Sequence, residues 1–160
     1  MQMKPRTAAT VVALALAGLA LSAPTAGASG TKLSQSAAAG QFGSAGITWS
    51  SSGGCTTRSN SSCTSFDQIN SGTVSAVITL KQASGCAINI TGGTEVGHAS
   101  GTYSHYNGYK VDTARNSCID GYIQNSFTYI GLRGDGYPQW QAASGNLYCN
   151  EGNHWDILIY

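Results

Sequence analysis

The stretch SHYNGYKVDTA, residues 104–114, places His105 and Asp112 seven positions apart on either side of an Asn-Gly pair. Asn-Gly is the strongest two-residue signal for a β-hairpin, because both central turn positions need positive φ. A turn at Asn107-Gly108 puts His105 opposite Lys110, and Asp112 two residues further along the same face. Diagonal neighbours in such a ladder lie about 7–8 Å apart. The pattern therefore predicts a hairpin that brings an imidazole and a carboxylate together.

An imidazole and a carboxylate on one face can share a metal ion at about 2.0–2.2 Å each. A third ligand has to come from elsewhere in the chain, and His154 is the candidate. Two histidines, one carboxylate and an open fourth position are typical of catalytic zinc, whereas structural zinc sites are closed. Glu151, three positions before His154, can take a proton from a water whose pKa the metal lowers to about 7. We therefore predict a zinc site that hydrolyses amides, with His105, Asp112 and His154 as ligands and Glu151 as general base.

Helical and strand patterns alternate around this stretch. Phe66 to Leu80 has apolar residues at helical spacing, with Thr64 or Ser65 as N-cap and Gly85 as the stop. A short helix is predicted around residues 119–123. Strands are predicted at residues 87–91, 109–113, 127–132, around Trp140 and at 154–160. Because there is no βαβ rhythm, the predicted fold class is α+β, a small antiparallel sheet with a few helices on one side.

The N-terminal 28 residues have the pattern of an export signal. A basic start precedes the apolar run Val11–Leu21, and Ala26-Gly27-Ala28 supplies a cleavage site. The apolar run is too short to span a membrane. Residues 29–46 are rich in Ser, Ala and Gly and are predicted to be a flexible leader. Residues 47–160 are predicted to form the zinc peptidase-like domain of a protein that is secreted, extracellular or associated with the cell wall.

Charge and cysteine content narrow the partners and the compartment. Six basic and seven acidic residues follow the predicted signal, and they form no basic stripe. We therefore expect a monomer that binds no nucleic acid and, after signal cleavage, no membrane. All five cysteines also follow the signal, where an exported chain forms disulfides. Cys55 and Cys63 are the first predicted pair, and at least one cysteine must stay free or pair between chains.

The tract SHYNGYKVD, followed later by EGNHW, resembles the zinc D-Ala-D-Ala carboxypeptidases and dipeptidases, whose structural relatives are the hedgehog signalling domains. That family carries S-x-H-x-x-G-x-A-x-D and a late E-x-x-H-W. Six residues match the two motifs: His105, Gly108, Asp112, Glu151, His154 and Trp155. The resemblance covers residues 88–160 and implies a hedgehog/DD-peptidase-like fold. It also implies zinc as cofactor and peptidoglycan stem peptides, or related D-amino-acid peptides, as substrates.

The same resemblance implies a role for His98, the chain departs from the family pattern at Lys110 and Glu95, and Trp155 is a candidate because of its aromatic side chain. His98 lines the cleft as a second catalytic residue that hydrogen-bonds the oxyanion, with a structural histidine as the alternative. Lys110 replaces the family's alanine and either holds a substrate carboxylate or is solvated. Glu95 lies near the place where the exopeptidases carry an arginine, so it is expected to favour a substrate amine or a bound cation. Trp155 is a substrate-binding candidate in an aromatic groove, although packing in the core is the favoured alternative.

Three functions stay open from the sequence. The leading one is a secreted zinc metallopeptidase, for which Glu95 makes endopeptidase or amidase-like specificity more plausible than strict D,D-carboxypeptidase activity. The second is a non-catalytic zinc-binding module of the same fold that binds peptide or a cell-wall ligand. The third is a disulfide-stabilised secreted domain without metal. Asp156 is expected to orient a ligand histidine, and Arg115 and Arg133 are carboxylate-binding candidates without positional support.

Overall fold

The computed structural model describes residues 30–160. The predicted signal, residues 1–28, lies outside this range. The elements in chain order are β1 (Lys32–Leu33), α1 (Gln35–Ser44), β2 (Thr48–Trp49), β3 (Ile69–Asn70), α2 (Ser71–Ser84), β4 (Asn89–Gly92), β5 (Lys110–Ala114), α3 (Ser117–Ser126), β6 (Thr128–Leu132), β7 (Pro138–Gln141), β8 (Leu147–Asn150) and β9 (His154–Leu158).

A seven-stranded sheet with the order β2-β4-β5-β9-β8-β7-β6 forms the frame of the molecule. Its strand pairs are antiparallel except for β2 and β4, which run parallel at one edge. Strands β1 and β3 form a separate two-stranded sheet. The α+β class is therefore confirmed, with one parallel pair at the edge of an otherwise antiparallel sheet.

The adjacent strands β5 and β9 separate an apolar environment from a polar one. Successive side chains of a strand point to opposite faces. Val111 and Trp155 are fully buried in the core. Asp112 points to the other face, and so do His154 and Asp156, the two residues on either side of Trp155. The register aligns Asp112 with Asp156. Two carboxylates therefore lie side by side on the face that is turned away from the core.

The three helices of residues 30–160 pack into a single apolar core on the other face. Phe42 of α1, Val77 of α2 and Ile123 of α3 belong to one buried cluster with Trp155 of the sheet. The second helix ends as predicted, because Gly85 adopts the left-handed conformation and its N–H donates to the carbonyl of Lys81.

The prediction that residues 29–46 form a flexible leader is wrong for the described part of this segment. Strand β1 pairs with β3, and helix α1 begins after Ser34, whose hydroxyl accepts the N–H of Ala37. Phe42 is completely buried and its ring lies 4.9 Å from that of Phe66. The small residues of this segment resemble a linker in composition, but one aromatic side chain anchors the helix in the core.

The predicted start of the second helix is also wrong. Helix α2 begins at Ser71, about six residues after the proposed N-cap. The hydroxyl of Ser65 instead accepts the N–H of Asp67, and its carbonyl accepts the N–H of Thr94. Tertiary hydrogen bonds therefore keep residues 64–68 out of the helix.

The predicted Asn107-Gly108 hairpin does not form. The N–H of Gly108 donates to the carbonyl of His105, and the N–H of Tyr109 donates to that of Ser104. With Gly108 at φ +78°, these bonds form the Schellman arrangement that ends a helical turn. His105 therefore reaches Asp112 from a loop and not from a paired strand.

The remaining predicted elements agree with the structure within three residues; β4, for example, begins two residues late and ends at Gly92. Strand β5, helix α3, strands β6 and β7 and the final strand β9 are confirmed. Strand β8 was not predicted, because Leu147–Asn150 is short and its apolar residues are adjacent.

The cysteine arrangement confirms the predicted Cys55–Cys63 disulfide and adds a second one between Cys86 and Cys118. Cys149 is free and buried, and its burial raises the pKa of the thiol to about 11. Two disulfides indicate an oxidising, extracellular type of environment. Within residues 30–160, no helix has the length and apolarity needed to cross a membrane.

Candidate metal centre

The polar face of the sheet opens into a cleft of about 590 Å³. It is lined by His98, Ala99, His105, Lys110, Asp112, Arg133, Asp135, Glu151, His154 and Asp156. All three histidines of the chain are in this set. The lining contains four carboxylates and two cationic side chains, so its formal charge is −2 when the histidines are neutral. A divalent cation would neutralise it.

Asp112 lies at the centre of the histidines. Its Oδ1 atom is 3.3 Å from Nε2 of His105 and 3.5 Å from Nε2 of His154, and its Oδ2 atom is 3.7 Å from Nδ1 of His98. Burial acts to raise the pKa of Asp112, but the three histidines outweigh it and hold the pKa below its usual value. The Oδ1 atom is buried without a hydrogen-bond partner. A buried, ionised carboxylate oxygen without a partner fits a metal ligand.

Each histidine has one ring nitrogen fixed by an acceptor. Nδ1 of His105 lies 2.9 Å from the carbonyl of Gly93, and Nδ1 of His154 lies 2.6 Å from Oδ1 of Asn153. Nε2 of His98 lies 2.9 Å from Oε1 of Glu95. In the neutral, metal-binding form of each ring, the nitrogen next to the acceptor carries the proton and the other nitrogen keeps its lone pair. All three lone pairs then face Asp112, as in the outer-sphere support of metal-binding histidines.

The spacing of these atoms fits a small metal ion. Two ligands about 2.0–2.1 Å from a tetrahedral zinc lie about 3.3 Å apart, close to the two distances measured from Asp112 Oδ1. His98, His105 and Asp112 form a set whose ligand atoms all lie within 4.8 Å of one another. These three residues could hold a metal ion. His154, a predicted ligand, lies beside Asp112 but outside this most compact set.

The end of strand β4 forms the floor of the centre. Gly92 pairs with Asp112, and a Cβ atom at Gly92 would lie 2.5 Å from Asp112 Oδ2. Gly93 then donates its N–H to Glu95 and offers its carbonyl to His105. In the sequence these glycines indicate only the end of a strand. The Gly-Gly pair, separated from Glu95 only by Thr94, was the available signal for a close approach of backbone to a site.

Replacing Gly92 by alanine should weaken zinc affinity by about 10–100-fold, the range found when outer-sphere support is lost. The added methyl group meets the Asp112 carboxylate and forces it to move. Competition titration with a chromophoric chelator measures the effect. Gly40→Ala in α1 is the control, since a Cβ there meets nothing within 4 Å. Unchanged affinity in folded Gly92→Ala protein would contradict the central position of Asp112.

Glu95 is not a substrate-binding residue in the structure, contrary to the prediction. It is 2% exposed. Its carboxylate accepts the N–H groups of Ser65 at 2.7 Å and Gly93 at 3.1 Å, in addition to the contact with His98. Burial acts to raise the pKa of Glu95, but the hydrogen bonds from His98, Ser65 and Gly93 prevail and lower it. Glu95 therefore holds His98 in place and is not among the residues that line the cleft.

The lowered pKa of Glu95 predicts acid sensitivity of the metal-free protein. Its contribution to the free energy of unfolding is present above the ordinary pKa of 4.5 and is lost as pH falls below that value. Glu95→Gln should remove about 1.5–3 kcal/mol at pH 7, the worth of hydrogen bonds to a charged group, and should flatten the pH dependence. Urea unfolding with chelator between pH 3 and 7 tests this. Asp67→Asn is the control, and an equally steep pH dependence in Glu95→Gln would exclude Glu95 as the source.

Both cationic side chains of the cleft are paired with carboxylates. Lys110 Nζ lies 2.7 Å and Arg133 Nη1 2.8 Å from the same oxygen, Asp156 Oδ2. Arg133 also binds Asp135 and Glu151, and these carboxylates raise the pKa of its guanidinium despite its partial burial. Lys110 does lie in the cleft, but Asp156 balances its charge. This pairing explains how a lysine fits beside a cation site.

A tight turn between β8 and β9 brings Glu151 next to His154. The N–H of Glu151 donates to the carbonyl of His154, and Gly152 in the turn has φ +91°. Glu151 Oε2 lies 3.2 Å from His154 Nε2, while Oε1 contacts Arg133. The E-x-x-H spacing thus places a carboxylate against a histidine through a two-residue hairpin turn.

The predicted substrate-binding role of Trp155 is wrong, and packing in the core is confirmed instead. Its side chain has no exposed surface, and its ring lies 5.5 Å from that of Trp140. The indole N–H donates to Asp120 at 2.7 Å. The residue lies between His154 and Asp156 on β9, so strand alternation turns it away from the cleft.

Comparison of the chain with protein-family models, curated proteins and solved structures gave no match. The geometry of the cleft is therefore the basis for a functional assignment.

Proposed function

We propose that the protein is a secreted zinc-dependent peptidase that hydrolyses peptide bonds in cell-wall stem peptides or related D-amino-acid peptides. One observation carries the proposal: two histidines, each fixed at one nitrogen, turn the other nitrogen toward a buried carboxylate oxygen without a partner, and a third histidine faces the second oxygen of the same carboxylate. The substrate class and the hedgehog/DD-peptidase-like fold rest on the resemblance of the two sequence motifs.

In this proposal His105, Asp112 and His154 hold the zinc ion. Their contacts meet at one oxygen of Asp112, whereas His98 faces the other oxygen. Bound zinc would polarise the scissile carbonyl and lower the pKa of water. Glu151, next to His154, takes the proton of the attacking water and delivers it to the leaving amine. In this role His98, held at Nε2 by Glu95, would be protonated at both ring nitrogens and would donate a hydrogen bond from Nδ1 to the carbonyl oxygen.

The charges of the cleft favour hydrolysis of internal peptide bonds of the substrate over hydrolysis of its C-terminal peptide bond. A carboxypeptidase needs a cation for the terminal carboxylate of its substrate, but Lys110 and Arg133 already bind Asp135, Glu151 and Asp156. We therefore propose endopeptidase or amidase-like specificity.

Metal analysis and digestion test the proposal together. The purified protein should contain about one zinc per chain and should cleave peptidoglycan fragments, with activity lost on chelation and restored by zinc. Stem peptides with an amidated C-terminus should be cleaved at least as well as their free acids. A protein that binds no zinc, or that binds zinc and cleaves none of these substrates, contradicts the proposed activity.

A non-catalytic metal-binding module is the second candidate. The compact set of His98, His105 and Asp112 favours it, because four ligands including His154 would close the coordination sphere. It predicts that His98→Ala and His154→Ala each lower zinc affinity and that the wild-type protein has no turnover. If the protein is the proposed peptidase, His154→Ala lowers the zinc affinity strongly and His98→Ala does not.

A further inference from the structure

The loop closed by the Cys55–Cys63 disulfide lies against two segments of the candidate metal centre. Its Arg58 side chain donates from Nη2 to the carbonyl of Tyr106 at 2.6 Å and from Nε to the carbonyl of Thr94 at 3.3 Å. The backbone carbonyl of Arg58 accepts the N–H of Val96 at 2.9 Å. One residue therefore contacts the segment before His98 from two sides.

The contact of Arg58 with Tyr106 fixes orientation as well as distance. The guanidinium carbon lies 3.8 Å from the centre of the Tyr106 ring. A planar guanidinium that stacks on a ring and also donates to a carbonyl has few alternative positions, and a lysine cannot reproduce this geometry. Tyr106 directly follows His105, so its position sets that of the histidine.

The two segments that Arg58 joins carry a stacked pair of histidines. The rings of His98 and His105 lie 3.9 Å apart with 16° between their planes. No helix or strand occurs between Gly93 and Tyr109, so regular hydrogen bonding does not hold this part of the described chain. Inside the segment, His105 contacts the carbonyl of Gly93 and His98 contacts Glu95, and bonds from outside the segment add to these in setting the separation of the two rings.

We propose that Arg58, held by the Cys55–Cys63 disulfide, is a positioning residue of the metal centre that fixes His98 and His105 relative to each other. The inference rests on the proposed metal site. Both ends of the disulfide loop support it: Thr64 donates its N–H to the carbonyl of Cys55, and the next residue, Ser65, binds the Glu95 carboxylate. The loop, Glu95 and the two histidines thus form one connected unit.

Metal titration of Arg58 variants tests the inference. Arg58→Ala should weaken zinc affinity about 10-fold, the lower end of the range for outer-sphere residues, and should change the visible absorption bands of the cobalt-substituted protein. Arg58→Lys keeps the charge but loses the planar guanidinium with its several donors, so its zinc affinity should be as low as that of Arg58→Ala. Lys81→Ala is the control, since Lys81 also donates to a backbone carbonyl but lies in α2 away from the cleft.

The two disulfides separate a positioning effect from a loss of stability. Cys86–Cys118 closes a loop of 32 residues and Cys55–Cys63 one of 8, so removal of the former should lower thermal stability more. Zinc affinity should show the opposite order, with Cys55→Ser/Cys63→Ser about 10-fold weaker and Cys86→Ser/Cys118→Ser within about twofold of wild type.

Three outcomes are decisive. The inference is supported if zinc affinity falls in Arg58→Ala and in the Cys55/Cys63 variant but not in Lys81→Ala or the Cys86/Cys118 variant. Wild-type zinc binding with unchanged affinity in folded Arg58→Ala overturns the inference and leaves the proposed metal site intact. A wild-type protein that binds neither zinc nor cobalt overturns both.

Discussion

Replacing Asp112 by asparagine should abolish tight zinc binding, because this residue contacts all three histidines and carries a buried oxygen without a hydrogen-bond partner. Zinc at 1,000 times the wild-type Kd should raise the free energy of unfolding by about 4 kcal/mol. If the variant binds zinc 1,000-fold more weakly, the same zinc concentration adds only about 0.4 kcal/mol. Thermal unfolding with zinc and with chelator measures the difference.

Asp135→Asn is the matched control for this experiment. Asp135 lines the same cleft but is 48% exposed and contacts Arg133 and not the histidines. The same chemical change at the rim should leave the zinc-dependent stabilisation intact. If folded Asp112→Asn keeps the full stabilisation by zinc, the metal binds elsewhere and the proposed centre is wrong.

The sequence predicted the strands that carry the site better than the loops between them. Period-two alternation is a local signal, so β5 and β9 were found, and with β9 the common face of His154 and Asp156. The pairing of β5 with β9, which brings Asp112 to that face, was not predicted. The spacing of Glu151 and His154 also survives, because a two-residue turn joins them. These features need only the residues within one or two strands.

The position of His105 could be predicted only in part. Its proximity to Asp112 was expected from an Asn-Gly hairpin, yet the Schellman turn at Gly108 produces it by a different route. Gly108 also packs against the backbone of Gln68, where a Cβ atom would lie 2.5 Å from the carbonyl oxygen. A contact between residues 40 positions apart leaves no local pattern in the sequence, so the sequence could not distinguish the Schellman turn from the Asn-Gly hairpin turn.

The role of Glu95 was missed for a similar reason. A carboxylate in a polar loop predicts a surface residue, and its burial depends on backbone N–H groups of Ser65 and Gly93 that tertiary folding supplies. The same holds for Phe42, whose helix was assigned to a leader on composition alone. Long-range partners decided these positions.

Replacing Glu151 by glutamine should lower the rate of peptide hydrolysis by about 10²–10⁴-fold, the usual contribution of general acid–base catalysis. Glutamine has nearly the same size and can still contact Arg133, but it cannot accept the proton of the attacking water. Zinc content should stay at the wild-type level. Steady-state kinetics on a stem peptide, together with metal analysis of the same preparation, measures both quantities.

The ion pairs of Arg133 with Asp135 and Glu151 allow a test of whether Glu151 acts as the base or only holds Arg133. Arg133 binds both Asp135 and Glu151, so the loss of either carboxylate releases one of its contacts. If Glu151 matters only because it holds Arg133, Asp135→Asn should reduce the rate as much as Glu151→Gln. If Glu151 is the base, Asp135→Asn should change the rate by less than about tenfold, well below the loss in Glu151→Gln. Equal losses with zinc still bound would therefore remove Glu151 from the chemistry and leave Arg133 as the functional group that both carboxylates support.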